Sequence, residues 1–480
     1  MEKILNYING EFKPSTANEW MSVYEPATGK VYGELTNSNE ADVLEAIEAS
    51  EEAKLSWAKL PQHKRSAYLY AMADEIENNI HELALAETKD NGKPISLATS
   101  VDIPRAAANF RFYAGAALHQ QSEAHDMGEL AFNYTIRKPL GTVVCISPWN
   151  LPLYLFTWKI APALATGNCV IAKPSEVTPY TAYLLCKIAA KVGLPKGVLN
   201  VIHGEGPRVG NTLSTHQKIK AVSFTGGTKT GSIIAGLAAP LFKKLSLELG
   251  GKNPNIIFAD APYDEMLETT VRSSFSNQGQ ICLCGSRILV EATIYEQFKA
   301  DFIKKVKSLK LGNPYDEKTN VGAVVSKSHQ QKILDCIALA KKEGGKILLG
   351  GNAAILDNDF KEGYYVEPTI IEGLDQDCRT NQEEIFGPVV TIAPFETEAE
   401  AVAMANSTNY GLAASIWTTN QRKAHRVAKE VDAGIIWINT WLLRDLRTPF
   451  GGIKNSGVGR EGGHYALNFF TEPKNICFTY

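Results

Sequence analysis

One cysteine and one glutamate have the residue types that a nucleophile and its general base require. Cys282 follows a run of Ser, Asn, Gln and Gly residues at 276–280, and Glu248 lies in the upstream segment Leu247-Glu-Leu-Gly-Gly251. A carboxylate removes a proton from a thiol or from a water molecule only within hydrogen-bond range. We therefore predict that the fold brings the two segments together as nucleophile and base.

The segments around these residues alternate short apolar runs with helix-like stretches. Doubly buried strands that alternate with helices are typical of a parallel, doubly wound sheet, which binds its ligands beyond the carboxyl ends of the strands. The predicted strands are 141–146, 168–172, 198–202, 221–224 and 244–248 in a first set, and 255–258, 287–290, 346–349, 390–392 and 435–438 in a second. The predicted helices include 153–166, 178–192, 295–309 and 327–342.

The change from the first set to the second predicts a domain boundary close to Gly250-Gly251. The first ~120 residues look mostly helical, with the strongest helical patterns at 40–57 and 63–90. Two further segments, 130–136 and 468–480, alternate apolar and polar residues as edge strands do. Because an exposed edge invites pairing, we expect these two segments to form a strand pair that completes a sheet across subunits.

The composition is that of an ordinary globular chain. A length of 480 residues exceeds what one core usually serves, so we expect two or three domains. A formal net charge of −3 provides no basic surface for nucleic acid. The eight scattered cysteines form no zinc-ligand pattern, which indicates free thiols, no metal site and a reducing compartment.

The sequence also carries no obvious membrane signal. Residues 1–6 lack the extended apolar run of a signal peptide. The apolar stretch 143–165 contains prolines and Lys159, which lipid would leave unsatisfied, so a buried strand followed by a helix is the better interpretation. We therefore expect a cytoplasmic protein that does not span a membrane.

Seven short motifs follow one another along nearly the whole chain. They are Ser147-Pro-Trp-Asn150, Lys173-Pro-Ser-Glu176, Phe224-Thr-Gly-Gly-Thr228, Leu247-Glu-Leu-Gly-Gly251, Gly279-Gln-Ile-Cys282, Glu383-Glu-Ile-Phe-Gly-Pro388 and Pro449-Phe-Gly-Gly452. Each motif is weak alone, but all seven in register are very specific. In residues and order they resemble the motifs of the NAD(P)-dependent aldehyde dehydrogenase superfamily.

The resemblance implies an α/β fold with two doubly wound domains and a small β oligomerisation element. It places an NAD-binding domain at 1–119 and 139–249, a catalytic domain at 250–464, and oligomerisation strands at 120–138 and 465–480. It further implies that the chain assembles as a homodimer or homotetramer.

The resemblance also implies a mechanism for the central residues. Cys282 would attack an aldehyde carbon as thiolate, and Asn150 would stabilise the oxyanion, a donor typically worth ~3 kcal/mol. Hydride transfer to the cofactor would leave a thioester, and Glu248 would activate the water that hydrolyses it. Lys159 is placed near this centre as a proton-relay residue.

The implied cofactor is NAD. A carboxylate at Glu176 on the adenosine ribose favours a free 2′-hydroxyl over a 2′-phosphate. The N-terminus of the helix that begins at 226–231 suits the pyrophosphate of the cofactor. Gly227 stands where the family often has a Ser whose hydroxyl would bind phosphate. This difference bears on the affinity for the cofactor and not on which cofactor is bound. The expected cofactor contacts are Ile146, Ser147, Trp149, Lys173, Ser175, Glu176, Gly206, Gly210, Phe224, Thr225, Gly226, Gly227, Gly231, Glu248, Leu249, Gly250, Glu384 and Phe386.

The segment 204–210 imitates a dinucleotide fingerprint, but its glycine spacing is wrong and Pro207 removes an N–H. We interpret it as a strand-to-helix turn.

Two arginines indicate the class of substrate. Arg105 and Arg444 lie in segments that resemble the family branch acting on 2-aminomuconate and 2-hydroxymuconate 6-semialdehydes. In that branch the matching arginines hold the substrate's distal carboxylate and its 2-substituent, a task that suits the bidentate guanidinium. We expect Asn150, Arg105 and Arg444 to bind a carboxylated semialdehyde, which the chain would oxidise to a dicarboxylic acid.

Several of these residues also have ordinary explanations. Asn150 could cap the following helix, and Arg444 could pair with Asp445 or Glu461 at the surface. Taken alone, four charged residues would be solvated surface groups: Glu248, Lys159, Lys173 and Glu176. Two aromatic residues, Trp149 and Phe386, would be core residues. The other cysteines and all nine histidines are interpreted as packing or surface residues.

Three alternative functions remain open at this point. A broad-specificity or betaine-type aldehyde dehydrogenase would share the catalytic residues but not the need for Arg444. A cofactor-free thiol hydrolase would use Cys282 alone, although no nearby histidine would activate it. A non-catalytic relative would be expected to have lost Cys282, Glu248 or Asn150, which are all present.

Overall fold

The computed structural model describes residues 1–480. Up to residue 248 the chain runs through an N-terminal group of short strands, a set of helices, and then alternating strands and helices. The elements are β1 (Glu2–Ile4), β2 (Asn6–Ile8), β3 (Glu11–Lys13), β4 (Trp20–Glu25), β5 (Lys30–Thr36), α1 (Glu40–Lys59), α2 (Gln62–Asn78), α3 (Ile80–Asn91), α4 (Ile95–Leu97), α5 (Ile103–Ala116), β6 (Ala124–Asp126), β7 (Phe132–Pro139), β8 (Thr142–Ile146), α6 (Pro152–Ala165), β9 (Cys169–Lys173), α7 (Tyr180–Lys191), β10 (Leu199–Val201), α8 (Gly206–Thr215), β11 (Ile219–Thr225), α9 (Thr228–Ala238) and β12 (Lys244–Glu248).

The remaining chain builds a second set of alternating elements. They are β13 (Asn253–Ile257), α10 (Tyr263–Phe275), β14 (Gly285–Glu291), α11 (Ala292–Lys307), α12 (Lys327–Lys342), β15 (Lys346–Leu349), β16 (Ala353–Ala354), β17 (Tyr365–Val366), β18 (Thr369–Glu372), α13 (Arg379–Gln382), β19 (Val389–Phe395), α14 (Glu398–Asn406), β20 (Tyr410–Gly411), β21 (Ala413–Trp417), α15 (Gln421–Glu430), β22 (Ile435–Ile438), β23 (Ile453–Lys454), β24 (Gly457–Val458), α16 (Gly463–Phe469) and β25 (Thr471–Phe478).

Two large sheets organise the molecule. The first has the order β24-β12-β11-β8-β9-β10-β2-β3, and its five central strands are parallel. The second has the order β15-β18-β19-β14-β13-β21-β22 and is parallel except for β15. Every residue of β8, β9 and β13 is buried, as expected for strands covered by helices on both faces.

The predicted doubly wound α/β architecture is confirmed, but the N-terminal prediction was partly wrong. Five short strands precede α1, because strands of three to seven residues give too little periodicity to outweigh the helical pattern that follows. The predicted helix 63–90 is two helices, which meet at Asn79 with φ −118° and ψ 24°.

The second sheet departs from the prediction at one edge. The strand at 346–349 was predicted as part of the alternating parallel set, but β15 pairs antiparallel with β18. Two strands of this sheet, β18 and β21, were not predicted. An antiparallel edge strand on an otherwise parallel sheet is common, and single-strand periodicity carries no information on strand direction.

The two segments with edge-strand patterns do pair. β25 runs antiparallel to β7 from Thr471 opposite Pro139 to Phe478 opposite Phe132, and β6 completes a three-stranded sheet. The side chains of β25 are mostly exposed. The strand pair is therefore confirmed, whereas its extension across subunits stays a prediction.

The chain passes from the first sheet to the second between Glu248 and Asn253, close to the predicted boundary. However, β24 at Gly457–Val458 returns to the first sheet and pairs antiparallel with β12. None of the helices combines the length and the apolar character needed to cross a membrane.

Candidate active site

Cys282 lies on a loop with a specific backbone conformation. Three consecutive residues, Asn277, Gln278 and Gly279, have φ values of 50°, 56° and 69°. This left-handed region is costly for residues with a side chain and easy for glycine. A methyl group at Gly279 would also collide with the carbonyl oxygen of Gly387. The glycine of the Gly279–Cys282 motif is therefore required by both backbone conformation and close packing.

Buried glutamines fix this loop. Gln278 Nε2 donates to the Ala323 carbonyl at 2.8 Å, and the Val325 N–H donates to Gln280 Oε1 at 3.0 Å. Both glutamine side chains are fully buried. These two glutamines of the polar run at 276–280 thus anchor the loop.

Cys282 lies where two cavities meet. One cavity of about 280 Å³ contains Glu248, Arg444 and Arg272 in its wall, and a second of about 240 Å³ contains Asn150, Glu384 and Phe386. Three residues line both cavities: Thr225, Leu249 and Cys282. A group bound in one cavity and a group bound in the other would therefore both reach the thiol.

Glu248 ends β12 inside the first cavity and is buried, so the expectation of a solvated surface carboxylate is wrong. Neither carboxylate oxygen has a hydrogen-bond partner in the protein. A methyl group at Gly451 would approach Glu248 Oε1 to 2.7 Å, which explains the glycine in the Pro449–Gly452 motif. Burial raises the pKa of Glu248 well above its ordinary value, and the carboxylate of Glu461 raises it further.

A buried ion pair lies beside Glu248. Lys159 Nζ contacts Glu461 Oε1 at 2.7 Å and Ser223 Oγ at 3.0 Å, and Glu461 lines the same cavity as Glu248. Lys159 is buried on α6, so it is not a surface charge. The second oxygen of Glu461 has no partner. This side of the cavity therefore has three interacting ionisable groups, Lys159, Glu461 and Glu248.

The Cys282 thiol is partly exposed to its cavities but shielded from bulk water. This burial raises its pKa, and the carboxylates of Glu384 and Glu248 act in the same direction, while the Arg444 guanidinium acts in the opposite direction. The thiol is therefore protonated in the free protein at neutral pH. A base or a bound ligand must favour the thiolate before it can attack a carbonyl carbon.

Asn150 is held by its side chain and by its backbone. Its Nδ2 donates to the Gln280 carbonyl at 2.9 Å, and α6 has no side-chain cap, so the capping interpretation is wrong. The Asn150 carbonyl accepts from Asn277 Nδ2 at 2.9 Å and from Lys93 Nζ at 3.2 Å. The loop before α6 is thus tied directly to the cysteine loop.

The expected adenosine-ribose pair forms at the end of β9. Lys173 is buried and contacts Glu176 at 2.9 Å, so this lysine is not a surface charge. Burial acts to raise the pKa of Glu176, but the Lys173 ammonium and backbone N–H groups together outweigh it, and the pKa lies below its ordinary value. The Gly206 N–H, at the start of α8, also stabilises this carboxylate. The segment 204–210 contains the end of the turn that follows β10, at residues 204–205, and the beginning of α8, at residues 206–210.

Aromatic residues line the second cavity. Trp149 packs edge-to-face against Phe386 at 5.2 Å between ring centroids and against His329 at 5.0 Å. His329 Nε2 lies 2.7 Å from the Phe386 carbonyl. Trp149 and Phe386 are half-buried cavity residues rather than core residues. Glu384 lies beside them and accepts from the Gly251 N–H at 2.9 Å.

The other expected cofactor residues lie at the carboxyl ends of the strands. Ile146 ends β8 and Ser147 follows it, and Phe224 and Thr225 end β11. The hydroxyls of Ser147 and Thr225 are buried and have no partner in the protein, which is the state expected of groups that bind a polar ligand. The remaining expected residues stand in a turn (Ser175), in α8 (Gly210), before and within α9 (Gly226, Gly227, Gly231) and after β12 (Leu249, Gly250).

The two arginines that were expected to bind the substrate lie in different places. Arg444 lines the Cys282 cavity, donates to Tyr154 Oη at 2.6 Å and lies 4.0 Å from the Phe450 ring centroid. Arg105 lines an adjacent cavity of about 890 Å³, which Arg444 also lines. Asp445 pairs with Arg447 and Glu461 pairs with Lys159, so the surface-pair explanation for Arg444 is wrong.

Sequence reasoning missed several residues of this site. Arg272 lines the Cys282 cavity, His329 lines the aromatic one, and Lys93 holds the Asn150 carbonyl. Glu461 was considered only as a surface partner of Arg444. No local pattern distinguishes these residues, because each acquires its role from a contact with a distant part of the chain.

The model of the aldehyde dehydrogenase family matches residues 12–476. The chain therefore belongs to the aldehyde dehydrogenase family. The fold, with two parallel sheets and a cysteine at the junction of two cavities, agrees with this assignment.

Individual relatives are similar over their whole length. The 2-aminomuconic semialdehyde dehydrogenase of Mus musculus is 47% identical over 99% of this chain and 98% of its own. The 2-hydroxymuconic semialdehyde dehydrogenase of Pseudomonas sp. (strain CF600) is 44% identical over 99% of both chains. A crystal structure of betaine aldehyde dehydrogenase from Staphylococcus aureus in complex with NAD+ is 38% identical, with a TM-score of 0.96 over 99% of this chain and 95% of its own.

These similarities confirm the family resemblance, the fold class and the prediction of a dehydrogenase. They leave no support for the cofactor-free hydrolase or for the non-catalytic relative.

Proposed function

We propose that this chain oxidises a carboxylated semialdehyde, 2-aminomuconate or 2-hydroxymuconate 6-semialdehyde, to the dicarboxylic acid, with NAD as cofactor. The observation that carries this proposal is that Arg444 faces the Cys282 cavity without a carboxylate partner. An unpaired guanidinium in a largely apolar cavity favours an anionic group. It also disfavours a cationic substrate such as betaine aldehyde, so the betaine-type alternative has no support from this cavity.

The residues of the second cavity fit NAD. Trp149, Phe386 and Glu384 surround a space of about 240 Å³ that reaches Cys282, as a nicotinamide ribose and ring would require. The first turn of α9 follows Gly226 and Gly227, which line the same cavity, so its N–H groups suit a pyrophosphate. The carboxylate of the half-buried Glu176 disfavours a 2′-phosphate and hence NADP.

The chain's residues then act in a defined order. Cys282 loses its thiol proton to solvent, and its thiolate sulfur forms a bond to the aldehyde carbon. The π electrons of the C=O bond move to the oxygen, and Asn150 Nδ2 donates to this negatively charged oxygen. NAD, when bound, supplies the acceptor for the hydride that leaves this carbon, and the substrate is left as a thioester of Cys282.

Glu248 takes a proton from the water that attacks the thioester, which releases the acid and the thiol. We assign Lys159 and Glu461 as the relay that carries this proton away, since Glu461 lines the cavity and its charge acts on the pKa of Glu248. A buried carboxylate with a raised pKa is a stronger base than an exposed one, which suits Glu248 to this step.

We also propose an organisation for the whole chain. Residues 1–119 and 139–249 form the NAD-binding domain, 250–464 the catalytic domain, and 120–138 with 465–480 the subunit interface of a dimer or tetramer. The exposed strand β25 supports the interface, because it presents a long edge-sheet surface to a second chain.

A substrate panel tests the proposal. The panel contains both muconate semialdehydes, 5-oxopentanoate, pentanal and betaine aldehyde, each scored by NADH absorbance. We expect NADH from the carboxylated aldehydes, with kcat/KM highest for the muconate semialdehydes, and complete loss in Cys282→Ala. Cys336→Ala, a partly buried cysteine of α12 outside the site, is the matched control. No NADH from any carboxylated aldehyde would remove the proposal.

A further inference from the structure

The Cys282 cavity has a second guanidinium, which neither the sequence motifs nor the proposed mechanism uses. Arg272 lines this cavity together with Cys282 and Arg444. It lies in the last turn of α10, and the loop that follows leads directly to Cys282. Because helix and loop are both fixed, the position of Arg272 relative to the thiol is fixed as well.

Arg272 has no carboxylate partner. The natural partner on its own helix is Glu268, one turn earlier, but Glu268 pairs with Lys305 of α11 at 3.1 Å. Asp102, another carboxylate in the cavity wall, pairs with the buried Lys93. The positive charge of Arg272 is therefore not neutralised within the protein.

The side chain packs instead against a rigid aromatic residue. The guanidinium carbon lies 6.0 Å from the ring centroid of Trp441, which is buried and whose Nε1 donates to the Leu283 carbonyl at 2.8 Å. Arg272 itself is exposed. It thus stands at the solvent side of the cavity with its donors free, while the half-buried Arg444 uses one nitrogen, Nη1, to donate to Tyr154 and keeps its other donors.

We propose that Arg272 is a specificity-determining residue, which attracts and holds the distal carboxylate of the substrate at the cavity entrance. This inference rests on the proposed function and adds a second cation to it. Because Arg272 is exposed, its interaction with the substrate is screened by salt. Its main effect is therefore on capture of anionic aldehydes, seen in KM and kcat/KM, with little effect on kcat.

Two aldehydes that differ only at the far end isolate this effect. 5-Oxopentanoate and pentanal have the same chain length, and only the first has a terminal carboxylate. In Arg272→Gln we expect KM for 5-oxopentanoate to rise roughly three- to tenfold and KM for pentanal to stay unchanged. In Arg272→Gln the dependence of kcat/KM for 5-oxopentanoate on ionic strength should also become weaker. Arg272→Lys, which keeps the positive charge, should retain most of the wild-type salt dependence.

Arg422→Gln is the matched control, since Arg422 is an exposed arginine of α15 that lies outside every cavity of the site. Arg422→Gln changes the net charge by the same amount as Arg272→Gln. It should alter neither KM for the two aldehydes nor the salt dependence of kcat/KM. Equal changes of KM for both aldehydes, or no change for either, would overturn the role of Arg272 while the wild-type activity upholds the proposed function. If the wild type oxidises no carboxylated aldehyde, both proposals are wrong.

Discussion

Arg444 Nη1 donates to the phenol oxygen of Tyr154 at 2.6 Å, and both residues line the cavity that contains Cys282. The guanidinium also lies 5.1 Å from the Trp158 ring centroid and 4.0 Å from that of Phe450. A cation held by a neutral hydroxyl and two aromatic faces keeps donors for an anion.

Replacing Arg444 therefore separates anionic from neutral substrates. In Arg444→Ala we expect KM for 5-oxopentanoate to rise about ten- to a hundredfold, the loss expected for a hydrogen-bonded charge. KM for pentanal should change little. Initial rates of NADH formation measure both constants, with Arg422→Ala as the control. An equal response of the two aldehydes would mean that Arg444 has only a structural role.

The pKa of Glu248 gives a prediction on pH dependence. Glu248 must be ionised to accept a proton from water, so hydrolysis of the thioester should slow as pH falls through its raised pKa. Glu461→Gln removes a nearby negative charge and frees the Lys159 ammonium, and both changes lower the pKa of Glu248. The acidic limb of the pH profile should therefore shift to lower pH.

Decay of the acyl-enzyme, followed by quenched flow over about pH 5 to 9, measures this limb directly. Glu430→Gln, at the exposed end of α15, is the control. An acidic limb that stays in place in Glu461→Gln would contradict the electrostatic coupling of the two carboxylates.

Position 227 offers a gain-of-function test. Gly227 is the N-cap of α9 with φ −70° and ψ 145°, and no atom lies within 4 Å of the position that a Cβ would take there. Gly227→Ser should fit without strain and lower KM for NAD by about three- to tenfold, since its hydroxyl can bind phosphate. Gly227→Ala adds the methyl group without the hydroxyl and should leave KM for NAD unchanged. Equal effects of the two variants would place the pyrophosphate elsewhere.

Lys93 gives a prediction on stability. Its ammonium is fully buried between Glu87 and Asp102 and contacts the Asn150 carbonyl at 3.2 Å. Lys93→Met leaves two buried carboxylates without a cation, which should lower the free energy of unfolding by ~3–5 kcal/mol. Denaturant unfolding measures the loss. Lys342→Met, at the exposed end of α12, should stay within about 0.5 kcal/mol of the wild type, and a similar loss there would contradict the explanation.

The buried parallel strands and their helices could be predicted closely from the sequence. The predicted strand 244–248 matches β12, and the predicted helix 178–192 encloses α7 at Tyr180–Lys191. Strands of this type are continuous apolar runs, so their pattern survives without knowledge of their neighbours. The short N-terminal strands and the antiparallel direction of β15 could not be predicted, because partners distant in sequence determine them.

In the site, too, residues within local motifs could be predicted, whereas contacts between distant segments could not. Motifs located Cys282, Glu248 and Asn150, since their residue types and order are specific. The pairing of Lys159 with Glu461 joins residues from α6 and from the segment before α16, and no local pattern records such a contact. Likewise, Arg272 lacks a carboxylate partner because Glu268 pairs with Lys305 of a different helix.

The covalent step at Cys282 can be observed by mass spectrometry of Glu248→Gln, in which removal of the base should let the thioester accumulate. The variant is mixed with NAD and 5-oxopentanoate, quenched in acid and digested. We predict that the peptide containing Cys282 gains the mass of the acyl group and that omission of NAD abolishes this gain. An unmodified Cys282 peptide during a turnover that yields NADH, or an acyl group on another residue, would contradict the account.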